Sequence, residues 1–159
     1  MKEIQLTNGG VALVDDEDFG EINCFKWFAH KEHGVIYAWR HQYNGHRKYG
    51  AMKMHRQIMK AKTGEILDHA DSNGLNNQKS NLRFCSNSQN LCNARIRNNN
   101  TSGFKGVSYH RQNKRWRATI NKDGKQVSLG CYGTPGEAAL AYNRKATELF
   151  GEFARPNVI

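Results

Sequence analysis

An aspartate and a histidine stand side by side at Asp68-His69, closing a short apolar run, Ile66-Leu67. Asn81 follows the histidine by 12 positions and Asn90 follows the aspartate by 22, with Arg83 between the two asparagines. In water a histidine titrates near pH ~6.5, so at neutral pH a neutral ring is available to accept a proton. A hard divalent ion takes oxygen donors. Mg²⁺ keeps several of its own waters, so one carboxylate and one amide oxygen are a sufficient protein share. Cutting a phosphate diester needs these parts: a base to activate water, and a cation to take up charge on the phosphate and the leaving oxygen. An isolated Asp-His pair also starts an Asx turn, and asparagines also fill loops. Asn81, Arg83 and Asn90 add the amide and cationic groups that such chemistry would use, and favour it over the turn.

The elements that must position these groups can be read locally. Ile66 to His69 is a short strand. A polar, Asn-rich loop follows, then Asn81-Leu82-Arg83-Phe84-Cys85 as a second strand. Ser86-Asn87-Ser88-Gln89 opens a helix with the Ser-x-x-Gln capping pattern, continuing through Asn90, Leu91, Ala94 and Arg95. Adjacent strand residues point to opposite faces, so Asp68 and His69 must sit at the strand's end, where the backbone turns. Upstream, Met54 to Lys60 reads as a helix with Met54, Ile58 and Met59 inward and Gly64 at its end.

This strand, loop, strand, helix order resembles the ββα-metal finger of HNH nucleases. The Leu75-Asn76-Asn77-x-x-Ser80-Asn81-Leu82-Arg83 run resembles the phage and intron-encoded homing branch in particular. The resemblance implies His69 as general base, Asp68 and Asn90 as metal ligands, and Asn81 as brace of the hairpin or orienter of His69. It implies phosphate contacts by Arg83 and Arg56, and Mg²⁺ or another divalent cation such as Mn²⁺ as cofactor. His55-Arg56 also matches the family pattern; for His55 a structural role on the helix face and a catalytic one both stay open.

The chain has 159 residues and a net charge of +10, unevenly placed. Residues 1–30 carry two basic and six acidic side chains, residues 31–99 carry 12 and 4, and residues 100–159 carry 10 and 4. A basic body of this kind suits a polyanion. The first residues do not form a signal peptide, and no run approaches the ~18 apolar residues of a membrane span. An intracellular protein is implied. Cys24, Cys85, Cys92 and Cys131 form no Cys-x-x-Cys pair, so no structural zinc is expected.

Residues 1–54 read as short strands: a hairpin around Asn8-Gly9-Gly10, an acidic helical turn at Asp15-Asp16-Glu17-Asp18, a small core with Phe25, Trp27 and Phe28, and a second hairpin from Val35 to Met54. Its Tyr43-Asn44-Gly45-His46 turn is either a DNA contact or a solvated loop. Residues 97–103 are polar and turn-forming, and read as a linker that is either bland or DNA-hugging; Arg95 and Arg97 lean towards the second.

From Gly103 the character changes. Gly106 to His110, Arg115 to Ile120 and Gln126 to Gly130 alternate as three strands, with Asp123-Gly124 at a turn. Thr134-Pro135-Gly136-Glu137 then caps a helix with a small-residue face, ended by Gly151. This segment resembles the AP2/ERF DNA-binding domain. The matching residues are Gly106-Val107, Trp116-x-Ala118-x-Ile120, Leu129-Gly130-x-Tyr132-x-Thr134, Glu137-Ala138-Ala139-x-Ala141-Tyr142 and Asn157. The resemblance implies that the sheet, rather than the helix, meets DNA. Alternation puts Arg115 and Arg117 on one face and Trp116 and Ala118 on the other, and Arg111, Lys114 and Lys125 extend the cationic side. Ser108 and His110 stand where plant members carry arginines, so the family's base preference does not transfer.

The expectation is an α+β chain. A nuclease domain over 1–97 has a β-rich N-terminal part and the finger at 54–97. A linker over 98–103 leads to an AP2-like three-stranded antiparallel sheet on one helix over 104–159. The expected activity is Mg²⁺-dependent, site-preferring cleavage of double-stranded DNA by a monomer that nicks one strand, with no membrane or obligate protein partner, in the cytoplasm of a phage-infected bacterial host. The competing expectation is a repressor-like protein that binds DNA on the same fold without cutting.

Overall fold

The computed structural model describes residues 1–43 and 49–159. The turn through Asn44, Gly45 and His46, weighed above as a DNA contact, lies outside the described residues. Packing divides the chain into two units, Met1–Cys85 and Ser86–Ile159.

The first unit opens with β1 (Lys2–Gln5) and β2 (Val11–Val14), an antiparallel hairpin with Lys2 opposite Val14. Its turn needs Gly9 and Gly10, whose φ values are 96° and 91°. α1 (Asp16–Ile22) follows. β3 (Phe28–Glu32), β4 (Val35–Tyr43) and β5 (Tyr49–Lys53) form a sheet in that order. β3 goes beyond the hairpin expected here. Phe-Ala-His-Lys-Glu has no β-branched residue, and pairing with β4 overrides that weak propensity.

α2 (Met54–Ile58) leaves β5 directly. It is shorter than expected, because the chain turns left-handed at Lys60 (φ 51°) and not first at Gly64. β6 (Ile66–His69) then pairs with β7 (Leu82–Cys85), Asp68 opposite Arg83 and His69 opposite Leu82. Their connection, residues 70–81, ends in a 3-10 turn, Lys79–Asn81.

Trp27 is fully buried at the centre of this unit, with Ile4, Val14, Ile22 and Met54 around it. Burying a side chain of that area contributes about 4–6 kcal/mol. Its indole N–H donates to the Ile22 carbonyl at 2.8 Å, fixing the end of α1. Phe25, expected inside, is partly exposed and carries the Arg40 guanidinium 4.1 Å above its ring.

The second unit begins with α3 (Asn87–Asn93). The capping box is complete: the Gln89 N–H donates to Ser86 Oγ, and the Ser86 N–H to Gln89 Oε1. The helix stops before the expected Arg95, and its packing explains the end. Cys92 is buried with Ile120, Tyr142, Ala146 and Phe150. The half-buried Lys105 ammonium donates to the carbonyls of Cys92 and Ala94, taking up acceptors that a helix end leaves open. At the other end, the Asp123 N–H donates to Ser88 Oγ at 2.8 Å.

β8 (Val107–His110), β9 (Arg115–Lys122) and β10 (Lys125–Tyr132) make an antiparallel sheet with β9 central. The β9–β10 turn is Asp123-Gly124, both at positive φ, as a two-residue hairpin of this hand requires. The register shifts between Ser128 and Gly130, a bulge at Leu129. α4 (Pro135–Phe150) has the expected Thr134–Glu137 capping box and Pro135 in its first turn. Ala138, Ala139, Ala141 and Ala146 are buried. That small-residue face lets the helix lie close: a Cβ on Gly106 would stand 2.1 Å from the Tyr142 ring.

The stretch 98–103 is bonded into this unit. The Gly103 N–H donates to Asn100 Oδ1 and Ser102 Oγ donates to the Val107 carbonyl, each at 2.8 Å. Among the described residues no helix is long and apolar enough to cross a membrane.

Candidate functional site

Asp68 and His69 are the last two residues of β6, and their side chains have different neighbours. Asp68 meets its cross-strand partner: Arg83 Nη2 donates to Asp68 Oδ2 at 2.6 Å, and both side chains are largely buried. His69 packs with His55 of α2 and Tyr37 of β4. The two imidazoles are 4.9 Å apart between centroids and nearly perpendicular, and Tyr37 lies 5.6 Å from His55 and 5.7 Å from His69.

Burial lowers the His69 pKa. A hydrogen bond with the Asn77 side chain and the nearby Asp71 and Asp68 carboxylates offset part of that. The ring is therefore neutral at pH 7, the form that accepts a proton. Burial, then the charges of His69, Lys53 and Arg56, push His55 down to about 3.

Loop 70–81 is held from three sides. Asn81 accepts from the Asp71 N–H at 3.1 Å and donates to Asp71 Oδ1 at 3.0 Å and the Asn76 carbonyl at 2.8 Å. Asp71 also accepts from the Asn73 N–H and the Asn76 amide. Burial opposes ionisation of Asp71, but these hydrogen bonds outweigh it and lower its pKa. The loop adds to the edge of β2: Leu13 and Asn77 donate their N–H groups to Leu75 and Leu13 carbonyls, both at 2.8 Å.

Asp15 accepts from the Lys79 N–H and Gln78 amide, and Lys79 pairs with Glu17 and Asp18. The acidic N-terminal stretch is thus a clamp on the base of this loop. Gly74 passes so close to β4 that a Cβ would stand 2.4 Å from the Ile36 carbonyl oxygen.

Of the two roles weighed for Asn81, these contacts are those of a brace. The asparagine beside His69 is Asn77, which is fully buried and was missed from sequence. The signal was the Asn76-Asn77 doublet inside the family-like run. Arg56 donates to the carbonyls of Glu65 (2.8 Å) and Lys62 (2.6 Å), fixing the exit from α2. Asn90, half-buried on α3, belongs to the second unit. Among the described residues no three His, Cys, Asp or Glu gather as a metal site. An aspartate-plus-amide site would not require such a group.

On β9, Ala118 and Ile120 are buried, while Arg115, Arg117 and Thr119 alternate with them on the other face. Ser108 and Cys131 flank Arg117 across the sheet. Arg111 and Lys114 lie in the β8–β9 turn, and Lys125 pairs with Lys122 at the opposite end, all exposed. Arg95 and Arg97 are exposed beyond α3 and line a cleft of about 460 Å³ with Asn99, Asn121 and Thr119.

The AP2 domain family model matches residues 102–152. Protein 3.8 of Escherichia phage T7 is 36% identical over 112 residues, 67% of this chain and 92% of that protein. An uncharacterised HNH endonuclease of Acanthamoeba polyphaga mimivirus is 33% identical over 158 residues, 95% of this chain and 76% of that protein. An AP2-like ethylene-responsive transcription factor of Arabidopsis thaliana is 39% identical over 59 residues, 37% of this chain and 12% of that protein. No solved structure matches the chain.

Proposed function

The chain belongs to the HNH endonuclease family and carries an AP2 domain, and from that premise we propose that it is a site-preferring DNA endonuclease. In this reading the sequence over 54–97 carries the ββα-metal finger that it resembles, and the chain hydrolyses one phosphodiester bond per encounter. The observation that carries the reading is the state of His69. It is a buried, neutral imidazole at a strand end, set beside an aspartate and next to Asn77 of a loop anchored on β2.

His69 takes the proton of the attacking water. Asn77 fixes the ring, and Asn81 and Asp71 hold the loop that carries Asn77. The donor chemistry fits Mg²⁺ or Mn²⁺: Asp68 supplies a hard anionic oxygen, and Asn90 is retained as a second ligand on its sequence position. When bound, such an ion stabilises charge on the phosphate and the leaving oxygen. Arg83 holds Asp68 in place beforehand and takes a phosphate oxygen in exchange. Arg115 and Arg117, with Arg111, Lys114 and Lys125 at the sheet ends, supply the cationic face for duplex DNA, and Arg95 and Arg97 add phosphate contacts. Arg56, engaged by carbonyls, supports α2 in this scheme.

The test is conversion of supercoiled plasmid to nicked circles with and without Mg²⁺, beside His69→Ala. Metal-dependent nicking that the variant loses supports the proposal. Tight DNA binding with no nicking in Mg²⁺ or Mn²⁺ would favour the repressor-like alternative.

A further inference from the structure

Successive residues of β4 point to opposite faces of its sheet. Ala38, with Ala29 of β3 opposite it, packs into the core of the first unit, so the face that carries Tyr37 and Trp39 is turned away from that core. Pairing extends this outer face: Phe28 lies opposite Trp39, His30 opposite Tyr37, and Lys53 opposite Trp39 from the other side. His41 and Tyr43 continue the row along β4. A solvated sheet face is normally polar and aliphatic-poor, with few rings. Here it presents a row of six.

The rings are held in place. His30 and His41 are exposed, and each is backed by a half-buried ring: His30 by Trp39 at 4.9 Å between centroids, His41 by Phe28 at 5.0 Å. Tyr43 is 62% exposed. Lys53, paired with Glu32, sets its ammonium 4.9 Å from the Trp39 ring and 5.3 Å from that of Tyr37. The row reaches the candidate site, because Tyr37 packs 5.7 Å from His69. Charge gathers on the same segment. Residues 28–53 hold five Lys and Arg and one acid, whereas the rest of the first unit holds seven and nine.

Exposed rings backed by rings, on a segment with surplus positive charge, suit bases that stack while their phosphates are neutralised. Paired bases keep their faces inside the duplex, so this chemistry selects a single strand. We propose that the outer face of β3, β4 and β5 binds single-stranded DNA, and that the preferred substrate is a duplex with unpaired nucleotides next to the scissile phosphate. The second half rests on the nuclease reading. Unpaired bases stack on His30, His41 and Tyr43, and the strand continues past Tyr37 towards His69.

The full-length chain tests this by fluorescence anisotropy with a labelled thymidine homopolymer of about 20 nucleotides and a duplex of the same length. Salt is held at about 0.2 M, where phosphate contacts alone are weak. His30→Ala with His41→Ala should lower single-strand affinity by about tenfold or more and duplex affinity by less than about twofold. His30→Phe with His41→Phe keeps both rings and should stay within about threefold of wild type on each. In a Trp116→Phe background the homopolymer should quench Trp39 over the same concentration range. In Mg²⁺, a duplex with a short mismatched bubble should be nicked about tenfold faster than its paired counterpart, and the alanine pair should bring that ratio near one. Unchanged single-strand affinity in the alanine pair overturns the proposal, as does an equal loss on both DNAs. Absence of quenching also overturns it, and decides alone should the alanine pair lose its thermal midpoint. Tighter binding of a uridine homopolymer would assign the face to RNA, and a dimer that the alanine pair dissociates would assign it to a second copy; either result overturns the proposal. A wild-type chain that binds the strand through this face but nicks neither duplex in Mg²⁺ or Mn²⁺ overturns the nuclease reading and the substrate preference, while the binding face stands.

Discussion

Replacing Arg83 by methionine isolates the Arg83–Asp68 pair. The two groups are 2.6 Å apart, with side chains 14% and 8% exposed. At an effective dielectric of about 20, Coulomb attraction at that separation is about 6 kcal/mol gross. Desolvation of both ions offsets part of it, and removing one partner of a buried pair costs about 3–5 kcal/mol. Methionine keeps much of the apolar stem, so nearly all of the loss is electrostatic.

The assay is urea unfolding in a Trp116→Phe background, where Trp27 and Trp39 report on the first unit. It is run once with chelator and once with Mg²⁺. With chelator, Arg83→Met should lose about 3–5 kcal/mol. If Asp68 binds the ion, metal at a hundredfold excess over its Kd returns about 2.7 kcal/mol. Asp68→Leu with Arg83→Met should recover much of the stability but none of the nicking. A loss under about 1 kcal/mol would show a pair screened like a surface one. Mg²⁺ that stabilises neither wild type nor Arg83→Met would remove Asp68 from the metal.

His69→Ala should abolish nicking while gel-shift affinity stays nearly intact, because the base acts in the chemical step and hardly in the ground state. Gly106→Ala, which sets a Cβ at φ 75° and 2.1 Å from the Tyr142 ring, should destabilise the second unit by about 2–5 kcal/mol in calorimetry. Arg115→Ala and Arg117→Ala should each lower the slope of log affinity against log salt by about one. His55 titrates at about 3 folded and near 6.5 unfolded, so the unfolded chain binds the extra proton between those values. Stability measured by urea unfolding should therefore fall as pH drops from 6.5 towards 3, by up to about 1.4 kcal/mol per unit, and His55→Phe should flatten that slope.

The parts of the fold legible in sequence are those set by local chemistry. Ser86–Gln89 and Thr134–Glu137 announce their helices because a capping box needs only four residues. The alternation of Arg115 to Ile120 states which face meets α4. Asp123-Gly124 states its turn.

What was not legible depends on distant partners. Phe28–Glu32 is a strand because β4 is beside it. Asn77 was one asparagine among several until the edge of β2 fixed the loop and brought it to His69. Arg56 carries the same charge in sequence whether it meets phosphate or, as here, carbonyls of Lys62 and Glu65. His55 next to His69 joins α2 to β6, and no spacing rule connects them.

The anchoring of α3 by Cys92, Lys105 and Ser88 bears on how genes of this kind can recombine. A crossover in the polar stretch 98–103, where composition suggests a joint, would part the helix from Tyr142, Ala146 and Phe150 and leave its terminal carbonyls without Lys105. A crossover between Cys85 and Ser86 moves helix and sheet together. Inheritance of a new second unit across that joint brings with it a new residue at position 90, so that residue is exchanged in the same event as the sheet.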